Sequence, residues 1–210
     1  MPTPADILTG LSIIANDMIG LAIVWHILAA AAIIGIIFGW RPSKRSGASL
    51  LSIPLLSVGI IALKYDNPFN GVVFLFFSVV LLVLASRLPK KRIQKAPIWA
   101  FLFGIFMILF GWIYPHFLQD GTWLKYLYAA PMGLIPCPTL SFTIGFAMLA
   151  NGFSSRVWSI VLVIIGVFYS LFGALRLGVH LDFVLLAGSL LLLIQVLILK
   201  SAVPSRKASK

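Results

Sequence analysis

Apolar runs of roughly 17 to 25 residues follow one another through this chain with only short polar joints between them, and that succession leaves few folds open. A helical crossing of a bilayer needs about 20 such residues, whereas soluble domains carry about a quarter of their residues charged. Of the 210 residues here, 61% are hydrophobic and 10% are charged, and the mean hydropathy is +1.09. The chain therefore reads as an all-α integral membrane bundle with the bilayer as its main partner. The apolar runs use nearly its whole length, so 1–210 forms a single transmembrane domain. Seven helices are expected, over about residues 11–40, 48–63, 69–85, 96–114, 132–152, 157–177 and 182–199. Between the fourth and fifth, the stretch 118–128 carries Trp123, Tyr126 and Tyr128 and suits a segment lying at the membrane interface.

Charge placement tests this count, because the basic residues of a membrane protein gather on alternate, cytoplasmic loops. Thirteen of the sixteen do so: Arg41, Lys44 and Arg45; Arg87, Lys90, Lys91, Arg92 and Lys95; Arg156; and Lys200, Arg206, Lys207 and Lys210. Lys64, Lys125 and Arg176 fall on the other side. The expected location is a cell membrane, with the N-terminus outside and the C-terminus in the cytoplasm. All five acids, Asp6, Asp17, Asp66, Asp120 and Asp182, then sort to the outer side, and the chain has no glutamate. The net charge of +11 is explained by anionic lipid and calls for no nucleic acid. The N-terminus lacks a basic leader region, so no cleaved signal peptide is expected.

Within this frame Pro136-Cys137-Pro138-Thr139 stands out, with the only cysteine set between two prolines. Proline removes a backbone donor and pushes its predecessor out of the α region, so the fifth helix must break at Cys137. A fresh helix should start with Pro138 at its first position and Cys137 at or near its N-cap. There the helix dipole favours a thiolate, hence metal binding or redox chemistry, while apolar burial opposes it. The plain alternative is a small buried hydrophobe at a kink.

The other polar candidates cluster toward the same end. His116 follows Pro115 and precedes Cys137 by 21 residues, so a hairpin could join them. One Cys and one His make at most half a zinc site, and Asp17, Asp120 or His180 would have to complete it. Asn16 and Asp17 place an amide and a carboxylate inside the first apolar run, where a charge costs about 2.5 to 3.5 kcal/mol on insertion scales and is usually paired or functional. Lys64 and Arg176 are candidate partners for Asp17, and Arg176 also groups with His180 and Asp182 in the last outer loop. His26 lies half a helical turn round from Asp17 and reads as a satisfied core histidine or a contact to a neighbouring helix. Gly166, Ser170 and Gly173, and Gly35 with Gly39, read as packing, and Gln195 as one interhelical hydrogen bond.

Several classes are disfavoured. A retinal protein needs a lysine midway along its last helix, and here only Lys200 lies at that helix's end. One cysteine excludes an internal disulfide and a disulfide relay. Paired haem histidines, a nucleotide-binding loop and a recognisable acid–base or nucleophile set are also missing, so an enzyme is the weaker reading.

Tyr114-Pro115-His116, Gly133-Leu-Ile-Pro-Cys-Pro-Thr139 with Phe142-Thr-Ile-Gly145, Ser170-Leu-Phe-Gly-Ala174 and Gly178-Val-His-Leu-Asp182 together resemble a family of uncharacterised multi-pass membrane proteins of prokaryotes. The likeness covers about the second half of the chain, and the resemblance implies a compact helical bundle without an assigned reaction. The functional expectation is passage or binding of a small solute or soft metal ion. Cys137 would be the ligand, Pro136, Pro138, Thr139, His116, Asn16, Asp17 and Arg176 would stand around it, and Cys137 and His116 would face a metal. The alternative is a structural or assembly subunit of a larger membrane complex, and a homo-oligomer is open. No cofactor follows from these residues.

Overall fold

The computed structural model describes residues 3–119 and 122–201, the side chains of 199–201 excepted. Asp120, named above as a third metal ligand, lies outside them, as do Arg206, Lys207 and Lys210. Within the described residues the fold is all-helical: α1 (Pro4–Asp17), α2 (Ile19–Ile37), α3 (Lys44–Lys64), α4 (Pro68–Ser86), α5 (Ile98–Ile113), the short α6 (Tyr126–Ala129), α7 (Pro136–Leu149), α8 (Arg156–Leu171) and α9 (Asp182–Ser201). α3 with α4, α5 with α7, and α8 with α9 form the closest pairs, and α7 also touches α3, α8 and α9.

Four stretches are long and apolar enough to cross a membrane: α2, α3, α4 and Arg156–Arg176. α5, α7 and the apolar part of α9, Asp182–Ile198, are shorter. Seven full-length crossings are thus not what the helix lengths give. α7 explains part of the shortfall. Residues 129–145 are buried without interruption, so this stretch meets protein on every side and has no lipid thickness to match.

The expected first helix is two helices. α1 opens with a reciprocal cap between Thr3 and Asp6, and buries Leu11, Ile14 and Ala15 on one face with Ile7 beside them. It ends where Asn16 turns its amide to other backbone groups, donating to Ser12 O at 2.7 Å and to Phe117 O at 2.9 Å. Such competition ends helices. Met18 then serves as the joint between α1 and α2. α2 buries only Ala22, His26 and Ala29, and shows Ile27, Leu28, Ile34 and Ile37 outward, a largely apolar outer surface.

The break in the fifth expected helix is real, but it falls earlier than Cys137. Ile135 is the N-cap, Pro136 occupies the first position of α7, and Cys137 and Pro138 complete its opening turn. The first N–H groups of a helix lack intrahelical partners, so two prolines here forfeit little. The irregular residues before it are tied down by Thr139, whose hydroxyl donates to Ile135 O at 2.7 Å and accepts from Gly133 N at 2.8 Å. Gly133 sits at φ +77°, with Trp25 filling the space a side chain would need.

Glycine also sets the α5–α7 distance. A Cβ on Gly145 would lie 2.6 Å from Gly104 O, and one on Gly111 would lie 2.5 Å from Phe142 N. Gln195 of α9 donates to Met148 O at 3.0 Å and Asn151 Oδ1 at 3.1 Å, the expected interhelical bond and one more.

Candidate functional site

The Cys137 thiol donates to Asp182 Oδ2 at 3.1 Å, and the Tyr114 hydroxyl donates to Asp182 Oδ1 at 2.7 Å. Asp182, at the start of α9, is 2% exposed, and Tyr114 at the end of α5 is fully buried. Three helix ends thus converge on one carboxylate. No ion pair forms among the described residues, so both partners of Asp182 are neutral hydrogen-bond donors.

Room for that carboxylate comes from α8. After Leu171 the helix widens into a π-helical turn, Phe172–Arg176, in which Leu177 N bonds Phe172 O at 3.1 Å. Gly173 lies in this turn directly against Asp182, and any side chain there would strike the carboxylate. π-turns inside α-helices are found often at functional sites. Next to the carboxylate is a cavity of about 20 Å³, which Cys137, Asp182, Asn70 and Tyr169 line with Gly173 and several apolar residues. A single water needs roughly 10 to 15 Å³. Tyr169 donates to Asn70 Oδ1 at 2.9 Å, which fixes the far wall. Ile7 and Leu11 of α1 and Phe117 close the cavity from above.

Of the residues expected around Cys137, only Pro136 joins it in lining this cavity. Thr139, Ser141 and Thr143 spend their hydroxyls on backbone carbonyls four residues back, at 2.7, 2.9 and 2.8 Å, and so do not reach the site. His116 is half-buried in the loop after α5 with its ring on Phe117 at 4.3 Å, away from the cavity lining. Burial lowers its proton affinity below the ordinary histidine range. Asn16 clamps the same loop, accepting Gln119 N at 3.0 Å as well as donating to Phe117 O. Asp17 is exposed and 3.5 Å from the Tyr65 hydroxyl, and Arg176 and His180 are exposed at the far side of the π-turn. Cys137 and His116 are therefore not brought together as a ligand pair, and no group of three metal-ligating side chains occurs among the described residues. His26 is buried between two carbonyls, Ala22 O at 2.8 Å and Trp112 O at 3.0 Å, in line with a core role.

Sequence reasoning missed Asp182, Tyr114, Asn70 and Tyr169 as one site. Tyr114, Gly173 and Asp182 all lie in the stretches that carried the family resemblance, which was the available signal.

Among the described residues, fold and site together define an all-helical protein with four helical stretches long and apolar enough to cross a membrane and a buried carboxylate–thiol–phenol cluster. No protein-family model, curated protein or solved structure matches the chain.

Proposed function

We propose that this is a multi-pass cell-membrane protein that binds a small cation at the Tyr114–Cys137–Asp182 cluster and passes it between the two sides. The observation that carries this reading is a carboxylate 2% exposed with no cationic partner among the described residues. An intramembrane acid is costly and marks ion or proton paths, and a cation or proton in the adjoining cavity supplies the missing charge. The polar side chains lining the cavity are mostly oxygen-bearing, Asp182, Tyr169 and Asn70, which favours a proton or a hard cation over the soft metal that Cys137 alone would select.

In this proposal α5, α7 and α9 also insert, making seven membrane segments with the basic ends cytoplasmic and the acids outside. α7 does so as a short helix sheltered by its neighbours, the arrangement seen where irregular backbone is tolerated at membrane depth.

The test is flux into proteoliposomes carrying a pH-sensitive dye or a metal-sensitive dye, for the wild type, Asp182→Asn and Cys137→Ser. Wild-type flux that Asp182→Asn abolishes supports the proposal. Wild-type vesicles no leakier than empty ones overturn it. A second reading rests on the completeness of the hydrogen bonding: Tyr114 and Cys137 both find their acceptor in Asp182, as a staple joining α5, α7 and α9 would. A subunit of that kind carries no flux, loses stability on Asp182→Asn, and copurifies with a partner from native membrane.

A further inference from the structure

At the end opposite the acid cluster, α2, α3 and α7 leave a groove of about 480 Å³ between them, within the roughly 300 to 1,000 Å³ of ligand pockets. Its walls are apolar throughout, with Trp25, Ala32 and Trp40 on α2 and its end, Pro54 on α3 and Phe146 on α7. From Trp25 to Ile36, both of which line the groove, α2 rises about 17 Å, close to the ~15 Å of one leaflet's hydrocarbon, so a slot of this length matches an acyl chain.

The two segments that supply Pro42, Gly47 and Ile93 to one end of the groove are basic. The chain neighbours of these residues are Arg41, Lys44, Arg45, Lys91 and Arg92. These two segments are held side by side, with Lys44 N donating to Lys91 O at 2.8 Å and Ser43 bridged to Arg92. Lys44 is 8% exposed, and among the described residues its ammonium reaches only the Ser154 hydroxyl, at 2.8 Å. A buried ammonium without a carboxylate is as incomplete as the lone acid at the other end, and no acid lies in either segment.

We infer that this groove holds an anionic phospholipid, with one acyl chain between α2, α3 and α7 and the phosphate over Arg41, Lys44, Arg45 and Arg92. Charge complementarity selects the head group, and the apolar slot selects a lipid over a soluble phosphate. The ligand is drawn from the leaflet at the basic end of the bundle.

Native mass spectrometry of the full chain, exchanged into neutral detergent with phosphatidylglycerol or phosphatidylcholine of identical acyl chains, tests this. The wild type should retain phosphatidylglycerol in preference by about tenfold or more, as a few cations near the head group at about 1 kcal/mol each would give. Excess glycerol phosphate should not displace it. Arg41→Gln with Arg45→Gln should erase the head-group preference. Ala32→Phe, which fills the slot without touching a charge, should release the lipid while leaving the thermal midpoint of the detergent-only protein close to wild type. Lys64→Gln at the opposite end should change nothing. Equal retention of both lipids by the wild type, an undiminished preference in the double variant, displacement by glycerol phosphate, or a delipidated dimer buried on this face would each overturn the inference.

Discussion

Asp182 owes its position to a glycine in another helix. Its carboxylate occupies the space beside Gly173 that the π-turn of α8 opens. Gly173→Ala should therefore displace Asp182 and cost about 1 to 3 kcal/mol, the usual range for overpacking, seen as a lowered thermal midpoint. His116 makes a second residue-level prediction. Burial disfavours its charged form, so the folded chain binds this proton less readily than the unfolded chain. Its contribution to stability is full above the unfolded value of 6.5 and is lost as pH falls below it. The protection of amides in the loop after α5, taken relative to their intrinsic exchange rate at each pH, should fall as pH drops from about 7.5 to about 5, and His116→Gln should flatten that response. Cys137 was legible as a site because two prolines marked it. Asp182 was not, because its partners are 45 and 68 residues away, and adjacency along the chain grouped it with Arg176 and His180 instead.

At the scale of elements, α1 is the piece that covers the cavity, and Asn16 is its principal polar tie to the rest of the bundle. Asn16→Ala removes its side-chain hydrogen bonds to the 117–119 segment. At about 1 to 2 kcal/mol the change should raise the alkylation rate of Cys137 by roughly 5- to 30-fold, measured with a small maleimide against the wild type. The α5–α7 crossing makes the other test. Gly145→Ala pushes a methyl group onto Gly104 O and Ile108, and should lower the thermal midpoint by an amount corresponding to about 1 to 3 kcal/mol. The split between α1 and α2 could have been read from Ile7, Leu11, Ile14 and Ala15, which share one helical face. High hydropathy on both sides of Met18 concealed it, since composition alone cannot distinguish a helix lying across an end of the bundle from one running through it. Pro136 and Pro138 did announce an interruption. They also announced the helix that follows; that the residues just before them would be irregular depended on Thr139 pinning Gly133, a contact invisible in the local pattern.

Across the whole molecule, α3 starts at Lys44 beside the Lys91 segment and ends at Lys64 next to Asp66, while α5 runs from the basic joint to Tyr114 at the acid cluster. The joint of Lys44 with the Lys91 segment and the Asp182 cluster thus stand at opposite ends of α5. Exposed cysteines introduced by Lys64→Cys and Lys90→Cys should be labelled by an impermeant maleimide from opposite faces of sealed vesicles. The buried Cys137 should contribute little background. The number of full-length spans was less legible, because a 20-residue criterion assumes that lipid surrounds each helix, and α7 is surrounded by protein. That enclosure also bears on how the chain is made. α7 emerges from the ribosome before α8 and α9, so for part of synthesis its hydroxyl-bearing turns and the irregular backbone ahead of it lack two of their walls. Until the last two helices arrive, this stretch lacks contacts that bury it in the finished fold.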